Sequence, residues 1–308
     1  MLQIFIRRLF QGAIVVLGVM TIVFFFLRFA PGDPVTSLAP VGTEELYAEI
    51  RAQLGLDKPV IVQYFNFMRN VLFHADFGDS YFFPGTSVVS IIVERTGRTL
   101  LLAGIAIGIA ILIAFPLSVL AATRKGSIWD QLALIIVMLF QSAPSFWVGM
   151  IFIIIISVRL RLLPSIGFHN VRYAILPGIA LSLSLTAVLT RVIRINLMDA
   201  LENEYIKAAI ARGVPQWLVI WKHGIKSVAV PAVTVIAAQI GYLLSGAVVV
   251  EYVYNYPGLG LLTLYAASRR DYPLIQALVA TMALIFVSMN ILVDLIYIYI
   301  DPRVRETT

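Results

Sequence analysis

The residues able to do chemistry are few, and their spacing excludes most of it. His74, His169 and His223 lie far apart and share no metal-ligand spacing, so no metal site is expected. The chain has no cysteine, which removes thiol catalysis, disulfides and Cys-based metal sites. No GxxxxGK[ST] loop occurs; GIKS at Gly224–Ser227 lacks the glycine-rich loop and the Gly-Lys order that cradle a phosphate. HExxH and GxSxG are absent as well, and PGLG at Pro257–Gly260 reads as a turn. Asn290 and Asp294, one helical turn apart, are the main polar pair within an apolar stretch, where a carboxylate is a functional candidate by default. Asp294 lies only two turns from the end of that stretch, so it reads first as a structural partner of basic groups there.

What remains is recognition, and it centres on Asp199–Pro231. Leu201, Tyr205, Ala208 and Ala209 fall at i, i+4, i+7 and i+8, one apolar face of a short helix, with Glu202, Asn203, Glu204 and Lys207 largely away from it. Gly213 suits the left-handed residue that ends a helix, and Pro215 suits the first turn of the next. Trp217, Leu218, Trp221 and Ile225 then share one side of a second helix. Two short amphipathic helices at an angle make a docking surface. A helix-turn-helix that reads DNA has the same outline, but a place between membrane spans argues against any nucleic-acid partner.

The elements that position this stretch are membrane spans. Of 308 residues, 60% are hydrophobic and 13% charged, against the roughly 25% charged of a soluble domain. Arg7 and Arg8 precede an apolar run at 9–29, long enough to cross a hydrocarbon core of about 30 Å and too long for a signal peptide. Residues 31–98 turn polar after PGDP and read as an extracytoplasmic cap with helical spacing at 44–54 and 60–73 and an irregular loop at 74–85. Further spans are expected at 99–122, 131–158, 173–190, 228–250 and 274–300, the second of these kinked at Pro144, with a polar tail at 301–308. Placing both termini, the 123–130 turn and the 191–227 segment inside collects twelve Lys and Arg, against five in the two shorter outer loops. Residues 251–273 then form a second outer segment.

Small residues recur at a spacing of four: Gly104 and Gly108, then Gly178, Ser182, Thr186 and Thr190, then Ala237, Gly241 and Ser245. Such stripes allow close helix packing. The uncharged polar groups of Ser182, Ser184, Thr186 and Gln239 leave open the second reading, that some of these faces line a substrate path.

Several strings, in order, carry a family likeness: PGDP after the first span, QLGLDKPV at Gln53–Val60, DFGDSY at Asp76–Tyr81, ERTGRTLLL at Glu94–Leu102 and APSFWVG at Ala143–Gly149. EYIKAAIARGV at Glu204–Val214, EYVYNYPGLGLL at Glu251–Leu262, RDYPLIQA at Arg270–Ala277 and NILVDLIYIYIDPRVR at Asn290–Arg305 complete it. Over nearly its whole length the chain resembles the inner-membrane permease subunits of binding-protein-dependent ABC importers, and more narrowly the first permease of dipeptide, oligopeptide and nickel uptake systems. The resemblance implies an all-α polytopic membrane protein of six transmembrane helices with the type I importer permease fold. It implies an N-terminal span at 1–30, the cap at 31–98, a five-helix core at 99–300 with coupling helices at 199–227, and a cytoplasmic tail. Both termini would be cytoplasmic, in a bacterial inner membrane.

The family's cytoplasmic signature, Glu-Ala-Ala followed by Gly, forms the helix that seats in a groove of the ATPase. Ala208, Ala209 and Gly213 match it; Lys207 stands where the pattern has Glu, and the later Leu-Pro is represented by Val230 and Pro231 at a longer spacing. Glu204, Tyr205, Lys207, Ala208, Ala209, Arg212 and Gly213 are therefore the expected coupling residues. Ser182, Thr186, Gln239, Gly241 and Ser245 are the pathway candidates, and Asp76, Tyr81, Glu251, Pro257 and Gly258 the outer gate or binding-protein contacts. Implied partners are a second permease, two ATPase subunits carrying ATP and Mg, an extracytoplasmic binding protein and membrane lipid; this chain itself would bind no cofactor or metal and catalyse nothing. Di- or oligopeptides are the expected cargo, with nickel or other small solutes as alternatives. Ion-coupled secondary transport, the other class, would need mid-membrane charges that the sequence hardly offers.

Overall fold

The computed structural model describes residues 2–39, 41–83 and 85–300. Among these the chain is helical, with no strand beyond an isolated antiparallel bridge between Asp79 and Ser87. α1 (Leu2–Phe29) contains the expected first span and extends it towards the N-terminus through Arg7 and Arg8. α2 (Pro34–Leu38) starts where the Asp33 carboxylate accepts from the Val35 N–H at 2.9 Å. α3 (Glu44–Gln53) starts under the Thr43 hydroxyl, with Glu44 and Glu45 favourably placed in its first turn. α4 (Val60–His74) ends on Ala75 in the left-handed region at φ 52°.

α5 (Val88–Thr123) begins eleven residues before the expected second span. Glu94 and Arg98, read in the sequence as the polar end of the cap, form an i,i+4 ion pair of 2.8 Å on the helix surface, so charge there does not break the helix. The expected third span is divided into α6 (Ile128–Ser142) and α7 (Ser145–Phe152), which continues as a π-helical segment to Arg159. Pro144 does more than kink: it stands extended between them and the two halves meet at 98°. After a 3₁₀ turn come α8 (Ile175–Leu201), α9 (Glu204–Ala211) and α10 (Gln216–Val219). A π-helical segment, Ile220–Gly224, leads into α11 (Ile225–Val253). The second outer segment folds largely as α12 (Leu259–Arg269), and α13 (Tyr272–Ile300) completes the described chain. Among the described residues five helices are long and apolar enough to cross a membrane, and the bent α6–α7 pair is the sixth candidate.

Contacts divide the chain into two compact units. One comprises residues 100–256 with the described residues of the chain's two ends, and α8 is its centre: 72% of its apolar window is buried, against 28% or less for the other long spans. Leu176, Leu181, Leu185, Leu189, Ile193 and Leu197 of α8 pack with Leu102, Ala106 and Ala110 of α5 and Leu243, Ala247 and Val250 of α11. Small residues set the distance. A Cβ on Gly178 would lie 2.6 Å from Ile105 Cγ2, so α5 and α8 touch where only glycine fits. The Ser118 hydroxyl lies 2.6 Å from the Ala114 carbonyl and 3.0 Å from that of Thr190, sharing its donor between the two helices. Arg194 of α8 grips Asp130 of α6 through two parallel bonds of 2.7 Å, and the Gly126 N–H gives Asp130 a third at 3.0 Å.

The other unit comprises residues 5–99 and 257–288. Val88 and Ile92 of α5, Leu259, Leu262 and Ala266 of α12, and Leu274, Ala277 and Leu278 of α13 form one core. Val16 and Met20 of α1 with Ala280 of α13 form another, against which Phe67, Met68 and Val71 of α4 pack. Arg28 closes the end of α1, 3.6 Å above the Phe24 ring, and donates to Gln63 at 3.1 Å. Arg51 pairs with Asp33, tying α3 to the turn after α1. The Thr99 hydroxyl accepts from the Leu259 N–H at 2.8 Å, a terminal donor of α12 that no helical carbonyl reaches.

Two variants test this packing. Asp130→Ala leaves the Arg194 guanidinium, 16% exposed, without its fork, and is expected to cost about 3 kcal/mol in thermal unfolding in detergent. Adding Arg194→Met should recover much of that loss; unchanged melting of the single variant would show that the fork carries no stability. Gly178→Val should destabilise by roughly 1–3 kcal/mol, and Ile105→Ala in the same chain should relieve it. Failure of the second substitution to help would locate the strain elsewhere.

Candidate functional site

The polar stretch between the fourth and fifth long spans is a helical hairpin built into its neighbours. α8 runs without a break past Arg191 and Arg194 to Leu201. Lys125 reaches Glu202 at 2.9 Å just beyond, and its hydrogen bond and charge hold that carboxyl below its ordinary value. After Asn203, α9 exposes Glu204, Lys207, Ala208 and Ile210 and fully buries Ile206. Glu204 and Lys207 pair at 3.0 Å on the exposed side.

The turn is a complete Schellman motif. The Gly213 N–H donates to the Ile210 carbonyl at 2.9 Å and the Val214 N–H to that of Ala209 at 3.2 Å, while Arg212 Nε donates to Ala208 O. Gly213 has φ +83°, and an added Cβ there would meet nothing within 4 Å. Its glycine is required by backbone conformation alone. Pro215 then opens α10, its carbonyl accepting from the N–H groups of Leu218 and Val219.

The second limb differs from its sequence reading. It is the beginning of the fifth span, joined to α11 through the π-helical segment, rather than a separate short helix. Its buried residues are Val219 and Ile220, while Trp217 and Trp221 stand 63% and 61% exposed. Trp221 rests at 5.7 Å from the Phe115 ring. A Cβ on Gly224 would lie 2.7 Å from Leu197 Cδ1, so the root of this limb is pressed against α8. The hairpin thus offers Ala208, Ile210, Trp217 and Leu218 between the charges of Glu204, Lys207 and Arg212, all on a base fixed by α8 and α11. Of the expected coupling residues only the Tyr205 side chain lies outside the described residues. Ile206, the hairpin's own anchor, was missed in the sequence, where Ala208 occupied the apolar face in its place.

The pathway candidates separate. Ser182 and Thr186 are fully buried in the centre of α8, and their hydroxyls donate at 2.8 Å to the carbonyls of Ile179 and Ser182 on their own helix. Gln239 and Gly241 of α11 are half-buried and Ser245 is exposed. Gly104 and Gly108 of α5 face open space, unlike Gly178.

The outer candidates separate too. Asp76 is exposed and accepts from the Gly78 N–H at 2.8 Å; Tyr81 is half-buried with its ring 6.4 Å from that of Tyr272, and burial pushes its hydroxyl pKa up. Pro257 is half-buried, Gly258 is buried before the first turn of α12, and Glu251 is fully buried in the last turn of α11.

Comparison with known proteins gives the arrangement a lineage. Residues 114–306 match the family described as "Binding-protein-dependent transport system inner membrane component", and residues 1–103 match its N-terminal companion, "Binding-prot-dependent transport system membrane comp, N-term". The chain is 35% identical over 306 residues, 99% of each chain, to the "Glutathione transport system permease protein GsiC" of Pectobacterium atrosepticum. It is 33% identical to a "Probable peptide ABC transporter permease protein" of Sinorhizobium fredii, covering 97% of this chain and 98% of that one. It is 32% identical, over the full length of both, to a "Putative peptide permease protein" of Brucella suis. The fold is similar to that of a chain from a structure described as "Inward facing conformations of the MetNI methionine ABC transporter", with TM-score 0.58 and 18% identity over 69% of this chain and 97% of that one. With its two matches spanning nearly every residue, the chain belongs to the inner membrane components of binding-protein-dependent transport systems.

Proposed function

We propose that this chain is one of two permeases lining the pathway of an ATP-driven importer of di- or oligopeptides, with its hairpin seated in a cleft of an ATPase subunit. The observation that carries the reading is the hairpin: small and apolar side chains lie exposed between charges, on a turn whose first limb is joined to α8 by two residues, Glu202 and Asn203, and whose second limb runs unbroken into α11. A protein surface of that composition is suited to burial against a partner. Movement of the partner would pass to α8 and α11 without an intervening flexible loop, which is what a switch between two pathway states requires. ATP and Mg belong to the ATPase subunits; this chain contributes no hydrolytic group and holds no cofactor.

In this reading both termini and the hairpin face the cytoplasm, and the 31–87 and 254–271 segments face outward towards a binding protein that delivers cargo. Among the pathway candidates, Gln239, Gly241 and Ser245 on α11 have accessible surface for a second permease or cargo, whereas Ser182 and Thr186 are enclosed and act as spacers inside α8's packing. Asp76, Tyr81 and Pro257 are accessible for outer contacts; Glu251 and Gly258 act from within by fixing the outer ends of α11 and α12. The names of the relatives, which speak of glutathione and peptides, favour a peptide cargo over nickel.

Gly213 separates a docking role from mere space-filling. Gly213→Asn keeps a residue that tolerates the left-handed region, while Gly213→Val places a β-branched side chain there at a cost of roughly 1–2 kcal/mol or more. Both variants should reach the membrane in normal amount. Uptake of a labelled dipeptide should persist with Asn and collapse with Val, and co-purification of the ATPase should follow the same order. Normal uptake by the Val variant would remove the coupling assignment.

A further inference from the structure

The unit formed by residues 5–99 and 257–288 contains a cavity of about 250 Å³ that no pathway or hairpin residue shares. Its walls are mostly apolar: Phe82 and Phe83 from the loop before α5, Leu261, Leu262 and Tyr265 from α12, and Leu274 from α13. Two guanidinium groups join them. Arg269 stands at the exposed end of α12, 5.4 Å over the Phe82 ring. Arg95 comes from α5, and its Nε is buried with no hydrogen-bond partner among the described residues. Asp271 also lines the wall, but its carboxylate is occupied, accepting from the Ser80 hydroxyl and from the Leu274 N–H at 3.3 Å. With two guanidinium groups against one carboxylate, the balance of charge on the lining is positive.

Arg95 as a whole is half-buried, but an enclosed N–H without an acceptor is costly, and an anion arriving from outside would satisfy it. The aromatic and aliphatic walls require that the anion bring apolar atoms with it. Size narrows the choice further: pockets for whole small molecules run to about 300–1,000 Å³, and a cavity below that range suits one inserted side chain better than a peptide. A knob in a desolvated aromatic and Arg-lined hole is also the usual form of a protein–protein anchor.

We propose that this cavity is the socket for a single Asp or Glu side chain of the extracytoplasmic binding protein, paired with Arg95 and screened by Phe82, Phe83 and Tyr265. This rests on the reading that the segment faces outward and receives that protein. Arg269, at the mouth, steers the acid in and contributes less once it is seated.

The test uses the assembled transporter in proteoliposomes, with ATP hydrolysis measured against rising concentration of its cargo-loaded binding protein. Arg95→Gln, which keeps hydrogen-bonding atoms and removes the charge, should raise the half-saturating concentration about tenfold or more while leaving the maximal rate within about twofold. Arg269→Gln, an exposed change with no folding consequence, should raise it by a few-fold and flatten its dependence on salt. An acid-to-Arg substitution on the binding protein that restores half-saturation to an Arg95→Glu permease would identify the knob. Unchanged half-saturation in both Gln variants overturns the socket, whether the cavity then serves lipid or cargo. No stimulation of the unaltered transporter by the binding protein would overturn the importer reading as well, which keeps the two failures distinct.

Discussion

The structure depends on how α8 satisfies its own polar groups. A helix buried on most sides in an apolar environment cannot leave a hydroxyl or a peptide group unpaired. In α8 the hydroxyls of Ser182, Thr186 and Thr190 all turn back onto carbonyls three or four residues earlier, which lets small polar side chains sit against neighbours without seeking water. Close approach follows, with Gly178 touching Ile105 and Gly224 touching Leu197. Among the charges brought into this packing near the hairpin, Asp130 and Arg194 satisfy each other, and Arg191 reaches Gln141. α8 is therefore a rod clamped along its length, and whatever is fixed to its end moves with it.

The hairpin is fixed there by three different means. Ile206 plugs it into the bundle, the Schellman turn at Gly213 sets the angle between its limbs, and Gly224 presses the second limb back against α8. What remains outside is a surface of alanine, isoleucine, tryptophan and leucine between charges. The π-helical segment at Ile220–Gly224 falls where the second limb becomes a membrane span. In the other unit the same economy applies in reverse. There Asp271 and Thr99 are used to finish helix ends, while the enclosed Nε of Arg95 has no hydrogen-bond partner among the described residues.

Much of this was legible in the sequence because its causes are local. The apolar runs, the Gly-x-Pro turn and the polar hairpin between spans follow from composition and from the backbone preferences of single residues. The order of the family strings gave the architecture a name that the matched residues 1–103 and 114–306 bear out. What was not legible depends on contacts. Glu94 and Arg98 look like a loop until they are seen to pair along a helix. Pro144 signals a break, but nothing in its neighbours encodes an angle of 98°. Spacing puts Trp217 and Trp221 on one side of the second limb, but which side packs inward depends on contacts, and Val219 and Ile220 take the inside. For Ser182 and Thr186 the sequence leaves close packing and path-lining both open; their i−3 and i−4 bonds and full burial appear only with the contacts.

The central claim is that the hairpin and the outer end of α11 belong to one rigid body that carries motion across the membrane. The absence of cysteine makes a direct measurement clean: spin labels placed by Asn203→Cys, at the base of the hairpin and outside its assigned docking residues, and Tyr252→Cys, both exposed, in the assembled transporter. The distance between them should be the same without nucleotide and with ATP trapped, while uptake remains active. A shift of several ångströms between the two states would show that the chain bends between hairpin and outer end, and would contradict the account.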